Sequence, residues 1–425
     1  MNQNNPVAGV DVSKDYSDMC ILAPDNTVFR KLKIYHDLTS MNHSLSTLHE
    51  TETTYGIKPV VVMESTSHYH RLLWQFLSNS GYEVIVINPL QSGGLRNINI
   101  RKLKNDKVDA YKIAMLYRLK LLKPSNMPVN EIAALRSLCR LHQDIKDDIT
   151  QYTNRLMALL DQAFPKYCDI FSRITCKTSL AVLERFPTPH DILNASKHEI
   201  FLLIKDLRIG VMYSETKAEK IFETATDAIQ LGIYRNADAI LIRSCVSTIK
   251  LMLANVDAID DEMRSIVANN SFIKRNTELL RTIPGIGEYS SAFIISEIGD
   301  IAYFRKPKQL IAYFGLDPSE RISGKFKGDL NKISKRGSPY VRGVLNMVAH
   351  NCIHKTLRNG KIGNPILADY YEKKRISKPH KLVICAIMSK IVGIIFAVLR
   401  DQKPFEFRTP ESHDFYIKNR YDPFE

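Results

Sequence analysis

The sequence lacks the short motifs that mark several common classes of enzyme. It contains no Walker phosphate-binding loop, no glycine-rich dinucleotide fingerprint and no HExxH metalloprotease motif. Its 7 cysteines are scattered, and no two of them form a CxxC pair. The sequence therefore argues against a P-loop ATPase, a Rossmann-type dehydrogenase and a zinc site built on paired cysteines.

Signals for secretion and for a membrane are also missing. The first residues are polar and the number of cysteines is odd, which together predict a reducing, cytoplasmic location. One long apolar segment, Leu382–Leu399, carries Lys390 in its middle. A lysine at the centre of a bilayer costs about 3 kcal/mol, so we predict a buried protein helix there and no membrane partner.

What the sequence has in excess is positive charge. Its 425 residues include 59 Lys and Arg against 45 Asp and Glu, giving a formal net charge of +14, and 44% of the residues are hydrophobic. This length and composition predict two or three globular domains with real cores. The charge favours a polyanionic partner, and a surplus this large points to nucleic acid.

The first part of the chain alternates short β-type runs with helical runs. Strands are predicted at residues 7–12, 18–22, 28–34, 59–63 and 83–87, and helices at 38–54 and 68–80. Three antiparallel strands followed by β–α–β units predict an α/β domain with a mixed sheet and helices on its faces. This is the strand order expected of an RNase H-like domain.

Four carboxylates stand out in this region. Asp11 and Glu64 each end an apolar run, and Asp106 and Asp109 lie one helical turn apart. Carboxylates at strand ends, joined by a pair on one helix face, predict a site for Mg²⁺ or Mn²⁺. Asp106 and Asp109 alone would be read as solvated acids paired with nearby lysines, but the four together favour a metal-dependent nuclease.

Two long amphipathic helices are predicted in the middle of the chain, at about 130–164 and 237–267. Their apolar stripes include Leu141 and Ile240, and the two helices are expected to pair as an antiparallel hairpin, within one chain or between subunits. The segment 165–232 is less regular, so we predict a small helical insert there.

Two features of the C-terminal region suggest contact with DNA. The Pro284–Gly287 turn between two helices predicts a helix-hairpin-helix element, with the amides at Gly285 and Gly287 facing a phosphate; the alternative is an ordinary turn. The stretch 305–342 is basic and rich in Gly and Ser, and its predicted phosphate contacts are Lys325, Lys327, Lys335 and Arg336. A serine in such a loop is either a hydrogen-bond donor or a nucleophile, and composition does not decide between these.

Several segments at both ends of the chain resemble the Piv-type DNA invertases and their insertion-sequence transposase relatives. The segments that carry this resemblance are Gly9–Lys14, Met63–Thr66, Lys104–Ala110, Ile283–Gly287, Phe314–Pro318, Ser323–Gly324 and Ile333–Ser338. Each is moderately specific alone, whereas their order and combination are much more specific.

The resemblance implies a domain plan and a set of catalytic residues. Residues 1–125 would form a RuvC-like domain with Asp11, Glu64, Asp106 and Asp109 as a metal-binding DEDD set. Residues 126–272 would be a helical, coiled-coil oligomerisation region with an insert at about 165–235. Residues 273–402 would form a mainly helical transposase domain that supplies a nucleophilic serine, followed by a tail at 403–425. Ser323 is the expected nucleophile, with Ser334 and Ser338 as alternatives.

The implied function is transposition or site-specific recombination of an insertion sequence. Donor and target DNA would be cut and rejoined through a transient phosphoserine, guided by a non-coding RNA, in a homodimer or homotetramer. One alternative is a RuvC-type junction nuclease that uses water as its nucleophile. A second is a basic architectural protein that needs no carboxylates. Neither alternative accounts for both halves of the chain.

Overall fold

The computed structural model describes residues 5–64, 69–87, 106–121, 130–207, 210–231, 235, 237–319, 322–323, 326–327, 332–354 and 362–413. For residues 106–108, 130, 322–323 and 326–327 it describes the backbone alone. The chain divides into two compact units, residues 1–127 and 128–425. The first is a mixed α/β unit, and the described part of the second is mostly helical.

A five-stranded mixed sheet forms the centre of the first unit, as predicted. Its strands are β1 (Val7–Val12), β2 (Tyr16–Leu22), β3 (Val28–Tyr35), β4 (Val60–Glu64) and β5 (Val84–Ile87). Their spatial order is β3-β2-β1-β4-β5. β1 pairs antiparallel with β2 and parallel with β4, so this central strand joins the β1–β2–β3 antiparallel part of the sheet to its parallel part.

Helices cover both faces of this sheet. They are α1 (Leu38–Tyr55), α2 (His70–Asn79) and α3 (Asp106–Arg118). Ala8 and Val10 of β1 pack on one face in a cluster that includes Leu48 of α1 and Leu73 of α2. The side chains that alternate with them, including Val7, pack on the other face with α3.

The backbone of α3 comes unusually close to β1 at Gly9. A Cβ added to Gly9 would lie 2.1 Å from the Ala110 carbonyl oxygen and 2.6 Å from the Ala114 amide nitrogen. No side chain fits between the strand and the helix at this point. Gly9 therefore sets the distance between α3 and the sheet.

The longest helices of the second unit, α4 (Asn130–Ala163) and α9 (Asp238–Asn269), pair within the chain. Leu135, near the start of α4, shares a core cluster with Met263 near the end of α9. Leu156, near the end of α4, shares another cluster with Val246 near the start of α9. The predicted antiparallel pairing is therefore present, in its intrachain form.

Two positions of the predicted apolar stripes are wrong. Leu141 is 48% exposed and Ile240 is 71% exposed. Cys139 and Ile242 are buried instead. Leu141 and Ile240 each lie two positions from these buried residues, about 200° around the helix axis. They therefore fall off the buried stripe, which continues along each helix through both cores.

The described part of the segment between these helices forms four helices with a core of their own. They are α5 (Lys177–Arg185), α6 (Pro189–Asn194), α7 (Lys197–Asp206) and α8 (Val211–Leu231), preceded by a 3-10 turn at Tyr167–Ile170. Thr188 and Ser196 begin α6 and α7 with reciprocal capping boxes. The segment packs on the facing ends of α4 and α9, so the predicted helical insert is a compact subdomain.

Six helices build the remaining core. They are α10 (Ser271–Arg281), α11 (Glu288–Ile298), α12 (Pro307–Tyr313), α13 (Pro339–Ile353), α14 (Pro365–Arg375) and α15 (His380–Asp401). Among the described helices, α9 and α15 are long and apolar enough to cross a bilayer. α15 buries Ile387, Ile391 and Ile395 in this core, so the prediction of a buried protein helix is confirmed.

Replacing Gly9 by alanine is expected to destabilise the first unit by about 1–3 kcal/mol, because the new methyl group must push α3 away from β1. The measurement is urea unfolding followed by the fluorescence of Trp74, the single tryptophan of the chain, which lies in this unit. Gly343→Ala is the control, since its added Cβ meets nothing within 4 Å. Equal stability of the two variants would contradict the account.

Candidate active site and nucleic-acid-binding elements

Three carboxylates form a row across neighbouring strands of the first unit. In the β1–β2 register, Asp11 lies opposite Asp18. The β1–β4 register pairs Val10 with Met63, and its next step places Glu64 beside Asp11. Because side chains alternate along a strand, all three lie on the sheet face that α3 covers.

Burial differs along this row. Glu64 is 3% exposed and Asp18 is 6% exposed, whereas Asp11 is half-buried. Lys33 of β3 lies opposite Asp18, so a cation ends the row on one side. Carboxylates this close together and this buried require hydrogen-bond donors or cations near them.

The helix α3 carries two more acids of the predicted set, Asp106 and Asp109, and the side chain of Asp109 is described. Asp109 comes directly before Ala110, whose carbonyl approaches Gly9, and Gly9 is two residues before Asp11. The Asp109 side chain is 14% exposed, and its Oδ1 lies 3.1 Å from Nζ of Lys112. Asp106 is the first residue of α3, and its side chain lies outside the described atoms.

The donor chemistry of these residues fits a hard divalent cation. Asp11, Glu64 and Asp109 offer carboxylate oxygens, the ligands that Mg²⁺ and Mn²⁺ prefer. Among the described side chains, no group of three His, Cys, Asp or Glu is arranged to hold a metal. The Asp106 side chain, the fourth of the predicted set, would have to complete the site.

Asp18 was missed by the sequence analysis, although it belongs to the row. The position of the turn was enough to find it. A hairpin that turns at residues 13–15 pairs residue 12 with residue 17, and therefore Asp11 with Asp18. A single acid inside a buried strand otherwise gives no sign of which residue it faces.

In the second unit, the segment between α12 and α13 forms a hairpin that carries Ser323. Pro318 pairs with Ile333, and the Ser319 amide donates to the Lys332 carbonyl at 2.7 Å. Further out, β6 (Ile322–Ser323) pairs with β7 (Phe326–Lys327). Ser323 therefore directly precedes the two residues, 324 and 325, that join the strands. Gly324 and Lys325 themselves lie outside the described residues.

Two glycines let the base of this hairpin close tightly. A Cβ on Gly315 would lie 2.7 Å from the Gly337 nitrogen, and a Cβ on Gly337 would lie 2.1 Å from the Tyr313 carbonyl oxygen. The Lys335 amide donates to the Gly315 carbonyl at 3.1 Å. Arg342 donates to the carbonyls of Phe314 and Gly337. The two chain segments are thus held backbone against backbone.

The three candidate serines have different surroundings. The Ser334 hydroxyl donates to the Asp317 carboxylate at the base of the hairpin. The Ser338 hydroxyl is buried and has no hydrogen-bond partner among the described residues. Ser323 lies near the far end of the hairpin, where its backbone alone is described.

The Pro284–Gly287 turn joins α10 and α11 as predicted, but packing explains one of its glycines. Gly285 has φ +93°, and an added Cβ would lie 2.7 Å from Sγ of Cys352 on α13. Gly287 is exposed and begins α11. Contact of Gly285 and Gly287 with a phosphate stays a prediction, as it does for the exposed Lys335 and Arg336 and for Lys327, whose side chain is not described.

An ion pair anchors α4 to α11 inside the second unit. Nε and a terminal nitrogen of Arg140 lie 2.8 and 3.1 Å from the two carboxylate oxygens of Glu297, which is 2% exposed. Arg136 donates to the Ser296 carbonyl at 2.7 Å. This bidentate geometry fixes both the distance and the rotation of α4 against α11.

Two family models match the chain, one over each end. A transposase model for DEDD enzymes of the IS110 type matches residues 8–165, which include the carboxylate row and α3. The model described as "Transposase IS116/IS110/IS902 family" matches residues 277–372, which include the hairpin and the Pro284–Gly287 turn. The chain belongs to the insertion-sequence transposase and DNA invertase family.

Individual relatives agree with this transposase family. The mini-circle transposase assigned to IS117 of Streptomyces coelicolor is 27% identical over 75% of this chain and 77% of its own. A protein of insertion element IS116 from Streptomyces clavuligerus is 23% identical over 93% of this chain and 95% of its own. The pilin gene-inverting protein of Moraxella bovis is 28% identical over 37% of this chain and 47% of its own. Cleavage and rejoining of DNA is the class of reaction that these relationships imply.

If the carboxylate row binds a divalent cation, Mn²⁺ should raise the unfolding temperature of the first unit, because it relieves repulsion between the acids and binds the folded state alone. At 100 times the dissociation constant the gain is about 2.7 kcal/mol. Asp11→Asn should abolish the gain and Asp18→Asn should reduce it. The measurement is thermal unfolding followed by Trp74 fluorescence, with and without Mn²⁺.

The matched control is Asp15→Asn, an exposed acid in the turn between β1 and β2, which should keep the full gain. If Asp18→Asn keeps the full Mn²⁺-induced stabilisation, Asp18 is not part of the site. If Asp11→Asn keeps it, the proposed metal site itself is contradicted.

Proposed function

We propose that this chain is an insertion-sequence transposase that cuts and rejoins DNA by metal-assisted attack of a serine on a phosphodiester. The observation that carries the proposal is the row of Asp11 and Glu64 on neighbouring strand ends under α3. The strand order β3-β2-β1-β4-β5 supports a RuvC-like assignment for this unit.

Asp11, Glu64, Asp106 and Asp109 would hold Mg²⁺ or Mn²⁺, which supplies neutralisation of the scissile phosphate and of the leaving oxygen. Asp18, which lies opposite Asp11 in the β1–β2 register, would add a further negative charge beside the metal ion. Lys112 already lies against Asp109, so it would offset the negative charge of that carboxylate until the site is filled.

Ser323 is the proposed nucleophile. Its Oγ would form a bond to phosphorus, the bond from phosphorus to the leaving deoxyribose oxygen would break, and the hydroxyl proton would pass to a nearby base while the leaving oxygen gains a proton. A DNA hydroxyl attacking the phosphoserine reverses these steps. The ester conserves the phosphodiester, so joining to new DNA needs no ATP.

The surroundings of the other serines support this choice. Ser334 is engaged with Asp317 and helps to close the base of the hairpin. Ser338 has its hydroxyl buried, so a bulky phosphodiester cannot reach it. Ser323 adjoins the hairpin turn, next to Gly324 and Lys325, where small and basic residues suit a DNA backbone.

The proposal includes partners as well as chemistry. The net charge of +14 suits donor and target DNA together with a non-coding guide RNA. A homodimer or homotetramer is supported by apolar side chains left exposed on α9, of which Ile240 is 71% and Leu251 is 64% exposed. A cytoplasmic location fits these partners.

The serine mechanism predicts a protein–DNA adduct that survives denaturation. Wild-type protein, incubated with Mg²⁺, guide RNA and labelled donor DNA, should give a slower band on a denaturing gel. Ser323→Ala should abolish the band while leaving DNA binding intact, because the alanine has no oxygen to form the ester. Ser334→Ala is the control and should still form the adduct, more slowly, because its hairpin base is loosened.

The same gel distinguishes the alternative function. Cleaved DNA without any adduct would identify a junction nuclease that uses water, for which the carboxylate row alone is sufficient. An adduct that persists in Ser323→Ala would show that another residue is the nucleophile. No cleavage by any preparation would contradict the proposed function as a whole.

A further inference from the structure

A cationic turn joins α14 to α15 in the second unit. Residues 372–381 include five Lys or Arg and one acid, Glu372. Lys374, Arg375, Lys378 and Lys381 are exposed, and the Arg375 guanidinium donates to the Lys378 carbonyl at 2.8 Å, which fixes the shape of the turn. The charges are therefore held together on one ordered segment.

The placement of these cations is only partly favourable to the fold. Lys374 and Arg375 lie at the C-terminal end of α14, where the helix dipole stabilises positive charge. His380 and Lys381 lie in the first turn of α15, which has no acidic residue and no side-chain cap. A cation at a helix N-terminus is unfavourable by itself, and a bound anion would remove that penalty.

Three histidines lie beside this turn. The rings of His350 and His354, both near the end of α13, are stacked with centroids 5.7 Å apart. The His380 ring lies 5.4 Å from that of His350, and the Tyr371 hydroxyl of α14 lies 2.8 Å from Nδ1 of His380. Imidazoles side by side resist gaining charge together unless an anion is present.

The titratable groups around His350 come from three helices. Its own helix provides His354, and α15 provides His380, whose Nδ1 contacts the Tyr371 hydroxyl of α14. Burial, followed by the neighbouring His380 and His354, lowers the pKa of His350. His350 is therefore neutral at neutral pH when no ligand is bound. Among the described residues, no group of three His, Cys, Asp or Glu is arranged to hold a metal, so the cluster does not fit a metal site.

We propose that the end of α13, the α14–α15 turn and the start of α15 bind the phosphodiester backbone of a nucleic acid and take up protons on binding. The lysines neutralise phosphates, and the histidines add imidazolium donors when a phosphate lies against them. This surface rests on the proposed function, since it adds a backbone contact to a protein that handles DNA and RNA. Its residues are separate from those of the hairpin and of the Pro284–Gly287 turn, and Cys352 at the end of α13 packs against that turn.

The sign of the pH dependence follows from the charges. A bound phosphate favours imidazolium over imidazole, so it raises the pKa of His350 in the complex. Binding therefore tightens as the pH falls through the pKa of His350 in the bound state, and weakens above it.

The test is the affinity of the full-length protein for a labelled 20-base-pair DNA duplex and for an RNA hairpin of similar charge, measured by fluorescence anisotropy at several salt concentrations. Lys378→Gln with Lys381→Gln should weaken binding of at least one ligand roughly tenfold and lower its log–log salt slope by about 2. The ligand that responds identifies DNA or RNA as the partner of this surface.

Matched controls come from other helices. Lys146→Gln with Lys220→Gln removes two exposed lysines from α4 and α8 and should leave the affinity and slope unchanged. Wild-type binding should tighten at least about threefold from pH 8 to pH 6, and a variant with Gln at positions 350, 354 and 380 should lose most of that change. The single variant His354→Gln changes an exposed residue and should lose part of this pH dependence. It serves as the test if the triple variant does not fold.

Unchanged affinity and salt slope of the double-lysine variant, for both DNA and RNA, would overturn the proposal. An equal loss of affinity in the control pair of lysine variants would also overturn it. So would a wild-type pH dependence of binding in both histidine variants. These measurements need no cleavage. Normal binding without a serine adduct would therefore contradict the proposed chemistry alone, whereas adduct formation with no effect of the lysines would contradict this surface alone.

Discussion

The contact between α3 and Gly9 is the constraint on which the first unit depends. Because Gly9 has no side chain, the backbone of α3 lies directly on β1, and the turn that contains Asp109 is held over the strand that carries Asp11. The sheet register then determines the positions of the other two acids of the row, since it aligns Asp18 and Glu64 with Asp11 on the face that α3 covers. The proposed metal site would therefore be set by backbone contacts, which tolerate little adjustment.

The second unit uses the same device at the hairpin that carries Ser323. Gly315 and Gly337 allow two backbone segments to touch, and Arg342 and the Ser334–Asp317 hydrogen bond hold them there. The helix α4 is fixed in turn by the Arg140–Glu297 pair, whose buried carboxylate leaves it no equivalent alternative position. The proposed nucleophile thus lies on a narrow hairpin whose base is rigid.

Much of the fold of the first unit was predictable from the sequence, because local patterns of apolar residues indicate its strands. The strands were predictable because buried apolar runs have a clear period, and Asp11 and Glu64 because they end such runs. Asp18 was missed since its importance depends on register. Leu141 and Ile240 were placed wrongly since their helices carry apolar residues both on and off the buried stripe, and only the packing distinguishes them. The phosphate contact of Gly285 stays a prediction, and its positive φ and tight packing on Cys352 are by themselves sufficient to require glycine. Contacts between distant backbones leave no local trace in a sequence.

The most direct test of the central claim is anomalous diffraction at the manganese edge from crystals of the full chain grown with Mn²⁺. The account predicts an anomalous peak on the α3 face of the sheet, with carboxylate oxygens of Asp11, Glu64 and α3 at bonding distance, about 2.0–2.2 Å. An anomalous peak found only elsewhere in the protein would contradict the account. So would ordered crystals with no peak beside Asp11 and Glu64, in which both carboxylates contact protein groups alone.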